Sequence, residues 1–404
     1  MTNIVGGSVN PVFPHLRGET SFAFLARAKE LAAQGRKIIS FGIGQPDFPT
    51  PGHVVEAAKT ALDEGFTGYT ETAGIVELRE AIAEYLNSRY GCDVRSDEII
   101  VTPGTKTALF LGFSAFLKPG DEVIVPDPCY WAYADIPEFL GARPVFVPVQ
   151  WLGSSKGFRL NIDEIESLVT SRTKMIVFNN PHNPVGVTFT PDEVEQLAEL
   201  AKRHNLILLA DEVYDNFVYD VKFRSVLSDP EWRDYVVYAN GFSKTFSMTG
   251  WRIGYLVVRR EVCRDIVKFA TNVYSCPNSF AQKGAVAALR GDWEPVRKMV
   301  KAFRERRDLI FSLLREVPGF EVWKPTGAFY VFPRIVKLLD MLELTTWDFA
   351  KILLEKYGVV VLPGSAFPEK NGDGFIRMSY ATSPENIRKG IEIIKEAIDD
   401  LGTS

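Results

Sequence analysis

From residue 97 onward the chain alternates short apolar, β-branched runs with stretches whose apolar positions recur every three to four residues. The runs at 98–101, 122–125, 144–147, 175–178, 206–209, 235–239 and 253–257 have the length of strands. They are nearly continuous in apolar residues, as strands buried on both faces are. The helical stretches between them predict an α/β fold, a mainly parallel sheet flanked by helices. One helix start is legible in detail. Thr190-Pro191-Asp192-Glu193 offers an N-cap, a proline for the first turn and a capping-box acid, and Val194, Leu197 and Ala201 follow on one face.

The pattern changes in the last third. A long charged helix near 293–315, strands at 328–332, 359–362 and 375–379, and a closing helix after Pro384 predict a smaller α+β domain. The expected division is an N-terminal segment, 1–44, packing on the small domain; a large domain, 45–290; and the small C-terminal domain, 291–404.

Composition narrows the function classes. Of 404 residues, 46% are hydrophobic and 24% charged, ordinary globular usage that excludes a disordered chain. Lys and Arg number 46 against 51 Asp and Glu, a formal charge of -5, so a general nucleic-acid surface has no support and a small-molecule ligand is expected. The longest apolar run, 108–117, is about half of what a bilayer requires. Residues 1–17 show no basic stretch followed by an apolar one, so a cytoplasmic location and no membrane partner are expected. Cys92, Cys129, Cys263 and Cys276 stand far apart and read as separate thiols rather than a disulfide or metal set. His15, His53, His182 and His204 share no metal or nucleophile spacing.

Three strand ends carry the candidate chemistry. Lys244 follows the 235–239 run within Gly241-Phe242-Ser243-Lys244-Thr245. Open α/β sheets bind ligands at the carboxyl ends of their strands, and a lysine desolvated there becomes a usable amine nucleophile. Asp211 ends the 206–209 run, and Asn183 follows the 175–178 run in Asn179-Asn180-Pro181-His182-Asn183-Pro184. In order and spacing, Asn183, Asp211, Tyr214, Lys244 and Arg252 resemble the class I, fold-type I, pyridoxal-phosphate-dependent aminotransferases. The resemblance runs over nearly the whole chain, from Gly44-Gln45-Pro46-Asp47 to Arg377-Met378-Ser379-Tyr380.

The resemblance implies a role for each residue. Lys244 holds the aldehyde of pyridoxal 5'-phosphate and moves a proton between the substrate α-carbon and the cofactor. Asp211 faces the pyridine nitrogen and keeps it protonated, while Asn183 and Tyr214 bond the phenolic oxygen. Gly104, Thr105 and Lys106 open a helix whose free N–H groups suit a phosphate, and Arg252 completes that site. The family pattern often has a hydroxyl residue where this chain has Gly241, which leaves open whether Ser243 supplies that contact. Tyr130, beside Trp131, stacks on the cofactor ring. Tyr69 reaches across a homodimer interface to the neighbour's phosphate, so the sites are shared between subunits. Gly44 brings a backbone N–H near the substrate, Tyr130 and Asn183 also contact the substrate, and Arg377 grips its α-carboxylate.

The function implied is transfer of an amino group from an L-amino acid to a 2-oxo acid. Thr271 stands where one aspartate-specific branch carries an arginine from the partner subunit. Lys106 matches the lysine that another branch places near the distal carboxylate, which favours aspartate as donor and 2-oxoglutarate as acceptor. Aromatic amino acids, alanine and a β-lyase reaction stay open. A ligand-sensing module on the same fold would bring a winged-helix segment, for which no room precedes Gly44. A nicotinamide enzyme would carry G-x-G-x-x-G after a strand, which is not found.

Overall fold

The computed structural model describes residues 12, 13, 16, 20–368 and 371–402. Its centre is a seven-stranded sheet in the order Ile99–Thr102, Gly254–Val257, Val236–Gly241, Ile207–Asp211, Thr173–Asn179, Glu122–Asp127, Arg143–Pro148. Every run expected in this region forms one of these strands, with ends shifted by one or two residues. Six strands run parallel, and Gly254–Val257 is antiparallel to both of its neighbours. Alternate residues enter opposite cores: Ile176, Leu208, Ala210 and Val236 pack on one face, while Met175, Val177, Leu209 and Val237 pack on the other. That two-sided burial is why the strands read as continuous apolar runs.

The helix Pro191–Arg203 begins as its sequence predicts. Thr190 Oγ1 accepts from the Glu193 N–H at 3.2 Å, and Glu193 returns the bond to the Thr190 N–H at 2.7 Å. Its buried face is Val194, Leu197, Ala198, Leu200 and Ala201.

After the helix Glu294–Leu314 comes a small antiparallel sheet of Tyr330–Val331, Ile376–Ser379 and Leu362–Pro363, followed by the helix Pro384–Gly402. The 359–362 run is divided rather than a single strand. Val359–Val360 pairs in parallel with Ile39–Ser40, whereas Leu362 and Pro363 pair with Arg377 and Ile376. The chain changes partners at Val361 because its two ends face different edges. Helix Thr20–Ala33 packs Ala28 and Leu31 against Leu354 and Val360, and Arg27 Nε donates to Glu355 Oε1 at 2.6 Å. Among the described residues, no helix is long and apolar enough to cross a membrane, and no cluster of His, Cys, Asp and Glu could hold a metal.

Candidate active site

Parallel strands deliver their carboxyl ends to one edge of the sheet, and loops leaving that edge carry the candidate residues. Thr102 leads to Gly104 and Thr105, Asp127 to Tyr130, Asn179 to Asn183, and Gly241 to Lys244; Asp211 is itself a strand end. The antiparallel strand contributes in reverse. Gly254 pairs with both Thr102 and Gly241, so the residues before it, Arg252 included, come to the same edge.

These loops enclose a cavity of about 510 Å³. Asn183, Asp211, Tyr214, Ser243 and Lys244 line it, and so do Thr105, Lys106, Tyr130 and Arg252. The remaining wall brings Gly44 from near the N-terminal segment and Arg377 from the small sheet. Tyr69 is not part of it. That side chain is 92% exposed on the surface of this chain.

Lys244 Nζ donates to the Gly44 carbonyl at 2.6 Å and stands 5.9 Å from the Tyr214 ring centroid. The carbonyl of Gly44 thus faces the amine. Glycine is required here because a Cβ would run into the Tyr330 hydroxyl. Asp211 is buried and held on both oxygens, by Tyr133 Oη at 2.8 Å and by the Val213 N–H at 3.1 Å. Burial pushes its pKa up to about 6, with those two bonds and the Lys244 charge opposing the rise. Burial likewise pushes the Tyr214 phenol well above its ordinary value. Asn183 accepts from Arg377 Nη1 at 3.1 Å, and Arg377 Nη2 donates to the Gly42 carbonyl at 2.6 Å.

At the other end of the cavity the helix Thr105–Phe116 points its N-terminus inward. A Cβ at Gly104 would strike the Arg252 guanidinium, so the glycine lets that cation lie against the helix start. Arg252 holds a left-handed backbone, φ 56° and ψ 53°, uncommon for a residue with a side chain. Its Nη1 donates to the Thr249 carbonyl at 2.8 Å. Thr105 Oγ1 is buried with no hydrogen-bond partner among the described residues, and it sits against Gly241, where a Cβ would meet it. The space beside Gly241 is therefore already taken by a threonine hydroxyl. Lys106 Nζ lies 5.4 Å from the Tyr130 ring centroid. Trp131 lines the cavity as well as Tyr130; its ring stacks on Phe367 and its indole N–H bonds to the Ala366 carbonyl. The donor set suits a ligand with a phosphate at one end, a basic ring nitrogen near Asp211 at the other, and a carbonyl within reach of Lys244.

Sequence reasoning missed Tyr133, Tyr330, Leu25 and Ile43, which also line the cavity. Tyr133 stands in the first turn of Ala132–Phe139, three residues after Tyr130, which precedes the helix, and the two rings meet edge-on. The other three arrive through tertiary packing and leave no local signal. Among the described residues, no histidine lines this cavity. His182 is fully buried and pushed down to about 3 by burial, His204 bonds Glu166 at the surface, and His15 lies outside the described residues.

The model of the aminotransferase class I and II family matches residues 36–394. An aspartate aminotransferase of Sulfurisphaera tokodaii is 49% identical over 96% of this chain and 97% of its own length. One from Sulfolobus acidocaldarius is 46% identical over 96% of each. Among solved structures, the aspartate aminotransferase of Thermotoga maritima superposes with a TM-score of 0.89 at 37% identity, covering 97% of this chain and 100% of that one. That of Thermus thermophilus, solved with maleate, gives 0.88 at 36% identity over 96% and 99%.

Proposed function

The chain belongs to the class I and II aminotransferases, and we propose that it moves the amino group of aspartate to 2-oxoglutarate with pyridoxal 5'-phosphate as cofactor. The observation that carries this reading is one cavity lined by a strand-end lysine, a buried carboxylate and a buried arginine. When bound, pyridoxal phosphate supplies an aldehyde for the amine and a ring that draws electron density from the substrate α-carbon.

The protein's own groups do the rest. Lys244 takes and returns the α-proton, a role suited to an amine that already approaches the backbone and an aromatic face from one side. Asp211 offers an ionised carboxylate to the ring nitrogen, and Asn183 and Tyr214 offer donors to the ring oxygen. The Gly104, Thr105 and Lys106 backbone, the Thr105 hydroxyl and Arg252 hold the phosphate, with Ser243 and Tyr130 on the adjoining wall. Arg377 binds the α-carboxylate with the fork it now turns toward Asn183 and Gly42.

Aspartate is preferred because several relatives bear that name and because Lys106 supplies a cation for a second carboxylate. We read the chain as cytoplasmic and homodimeric, with exposed Tyr69 covered by the partner near its phosphate site. We keep the division near residues 45 and 291, and the pairing of Ile39–Ser40 to Val359–Val360 supports placing the N-terminal segment on the small domain. Steady-state rates with 2-oxoglutarate across aspartate, phenylalanine, tyrosine and alanine test the proposal. It predicts the highest kcat/KM for aspartate, and no amine transfer from any of them refutes it.

A further inference from the structure

A pair of buried hydroxyls joins the two ends of the substrate pocket. Tyr330 pairs with Ser379 across the small antiparallel sheet, diagonal to Arg377, which lies two positions before Ser379 on the same face. The Arg377 guanidinium stands 4.6 Å from the Tyr330 ring centroid. The Tyr330 hydroxyl is 2.8 Å from that of Tyr214, and the two rings meet edge-on at 82°. The same hydroxyl fills the space beside Gly44, whose carbonyl accepts from Lys244. One side chain therefore adjoins Arg377, Tyr214 and the glycine whose carbonyl accepts from the Lys244 amine.

Two hydroxyls at this distance share one hydrogen bond, and the donor decides where the other proton can point. A bond donated by Tyr214 spends its proton inside the wall. A bond donated by Tyr330 leaves the Tyr214 proton available to the cavity. The aromatic ring alone would satisfy the packing and the guanidinium, so a buried hydroxyl here needs a polar reason.

We propose that Tyr330 is a positioning residue: its hydroxyl donates to Tyr214 and turns the Tyr214 proton toward the cofactor's ring oxygen, while its ring supports Arg377 for the substrate carboxylate. The proposal rests on the roles of Tyr214 and Arg377 given under the proposed function.

Tyr330→Phe and Tyr330→Leu separate the hydroxyl from the ring. In enzyme loaded with pyridoxal phosphate, the pH midpoint of the visible absorption change is measured together with kcat and KM for aspartate. Tyr330→Phe raises the midpoint by about half to one pH unit, the worth of one neutral hydrogen bond, and lowers kcat with little change in KM. Tyr330→Leu also raises KM, by roughly three- to tenfold, because the ring is lost from beneath the cation. An unchanged midpoint in Tyr330→Phe, with or without a lower melting temperature, overturns the role of the hydroxyl. A KM rise as large in Tyr330→Phe as in Tyr330→Leu overturns the role of the ring. Wild-type protein that develops no visible band with pyridoxal phosphate is a different outcome and removes the functional reading itself.

Discussion

The phenolic oxygen of Tyr133 lies 2.8 Å from a carboxylate oxygen of Asp211 at the buried end of a central strand. Burial drives Asp211 toward its neutral form, whereas the Tyr133 and Val213 donors favour the ionised one, and the balance falls at about 6. A cofactor ring nitrogen needs the ionised form. Affinity for pyridoxal phosphate should therefore weaken as pH falls through about 6 in the cofactor-free enzyme. Tyr133→Phe should move that transition upward by about one unit. Fluorescence titration at several pH values measures both, and coincident profiles would show that the hydroxyl has no part in it.

Lys244→Ala should lower transamination by several orders of magnitude and abolish covalent retention of the cofactor. Borohydride reduction of the loaded wild type followed by peptide mapping should label Lys244. Lys106 is another amine on the cavity wall, so a pyridoxyl group found there would reassign the anchor.

Lys106→Ala should separate donors. Losing a charged hydrogen bond to the distal carboxylate costs about 1.5 to 3 kcal/mol, roughly ten- to a hundredfold in kcat/KM for aspartate, with much less lost for phenylalanine. Equal losses for the two donors would mean that the ammonium serves the phosphate end instead.

Gly241→Ser should destabilise the protein by about 1 to 3 kcal/mol, because the new Cβ must displace the Thr105 hydroxyl and sits 3.0 Å from the Gly254 Cα. Chemical denaturation of the two proteins reads the difference. A serine accepted without loss would show that the wall at Thr105 can yield.

Glu212 gives a pH dependence of stability with a definite sign. It is fully buried, accepts from Ser225 Oγ at 2.6 Å and from the Val226 N–H at 2.9 Å, and burial pushes it up to about 8. The folded value lies above the unfolded one, so stability is fullest below about 4.5 and declines as pH rises to about 8. The loss is on the order of 5 kcal/mol. Glu212→Gln can accept from Val226 and donate to Ser225 without ionising. The fall in melting temperature between pH 5 and pH 9 should be smaller in the variant, and parallel curves would rule the mechanism out.

Much of this architecture is legible in the chain because the central strands are buried on both faces and the residues of the cavity floor follow strand ends in sequence. Lys244, Asp211 and Asn183 fall at three strand ends for that reason, and the family resemblance is what singled them out as a set. The direction of Gly254–Val257 was not legible, since an apolar strand reads the same both ways. The division at Val361 was hidden likewise, as four apolar residues carry no mark of a change of partner. Tyr330 and Leu25 look like core residues, and only the closing of the small sheet and the first helix over the cavity gives them a place in it. Gly241 shows the converse. A missing hydroxyl was visible in the sequence, while the Thr105 side chain filling its space was not.

The parallel pairing of Ile39–Ser40 with Val359–Val360 bears on how the protein is made. Arg377 reaches the Gly42 carbonyl across 335 positions, and Arg27 reaches Glu355 across 328. During synthesis the earliest of these residues leave the ribosome long before their partners exist, while the central sheet can assemble from neighbouring segments. The closure entropy of so long a loop grows only slowly with its length, but non-local pairing delays the rate of assembly. Neighbouring strands of the central sheet can therefore pair before Arg377 and Gly42 meet, and the corner where those two join can close only after the last segments of the chain have been made.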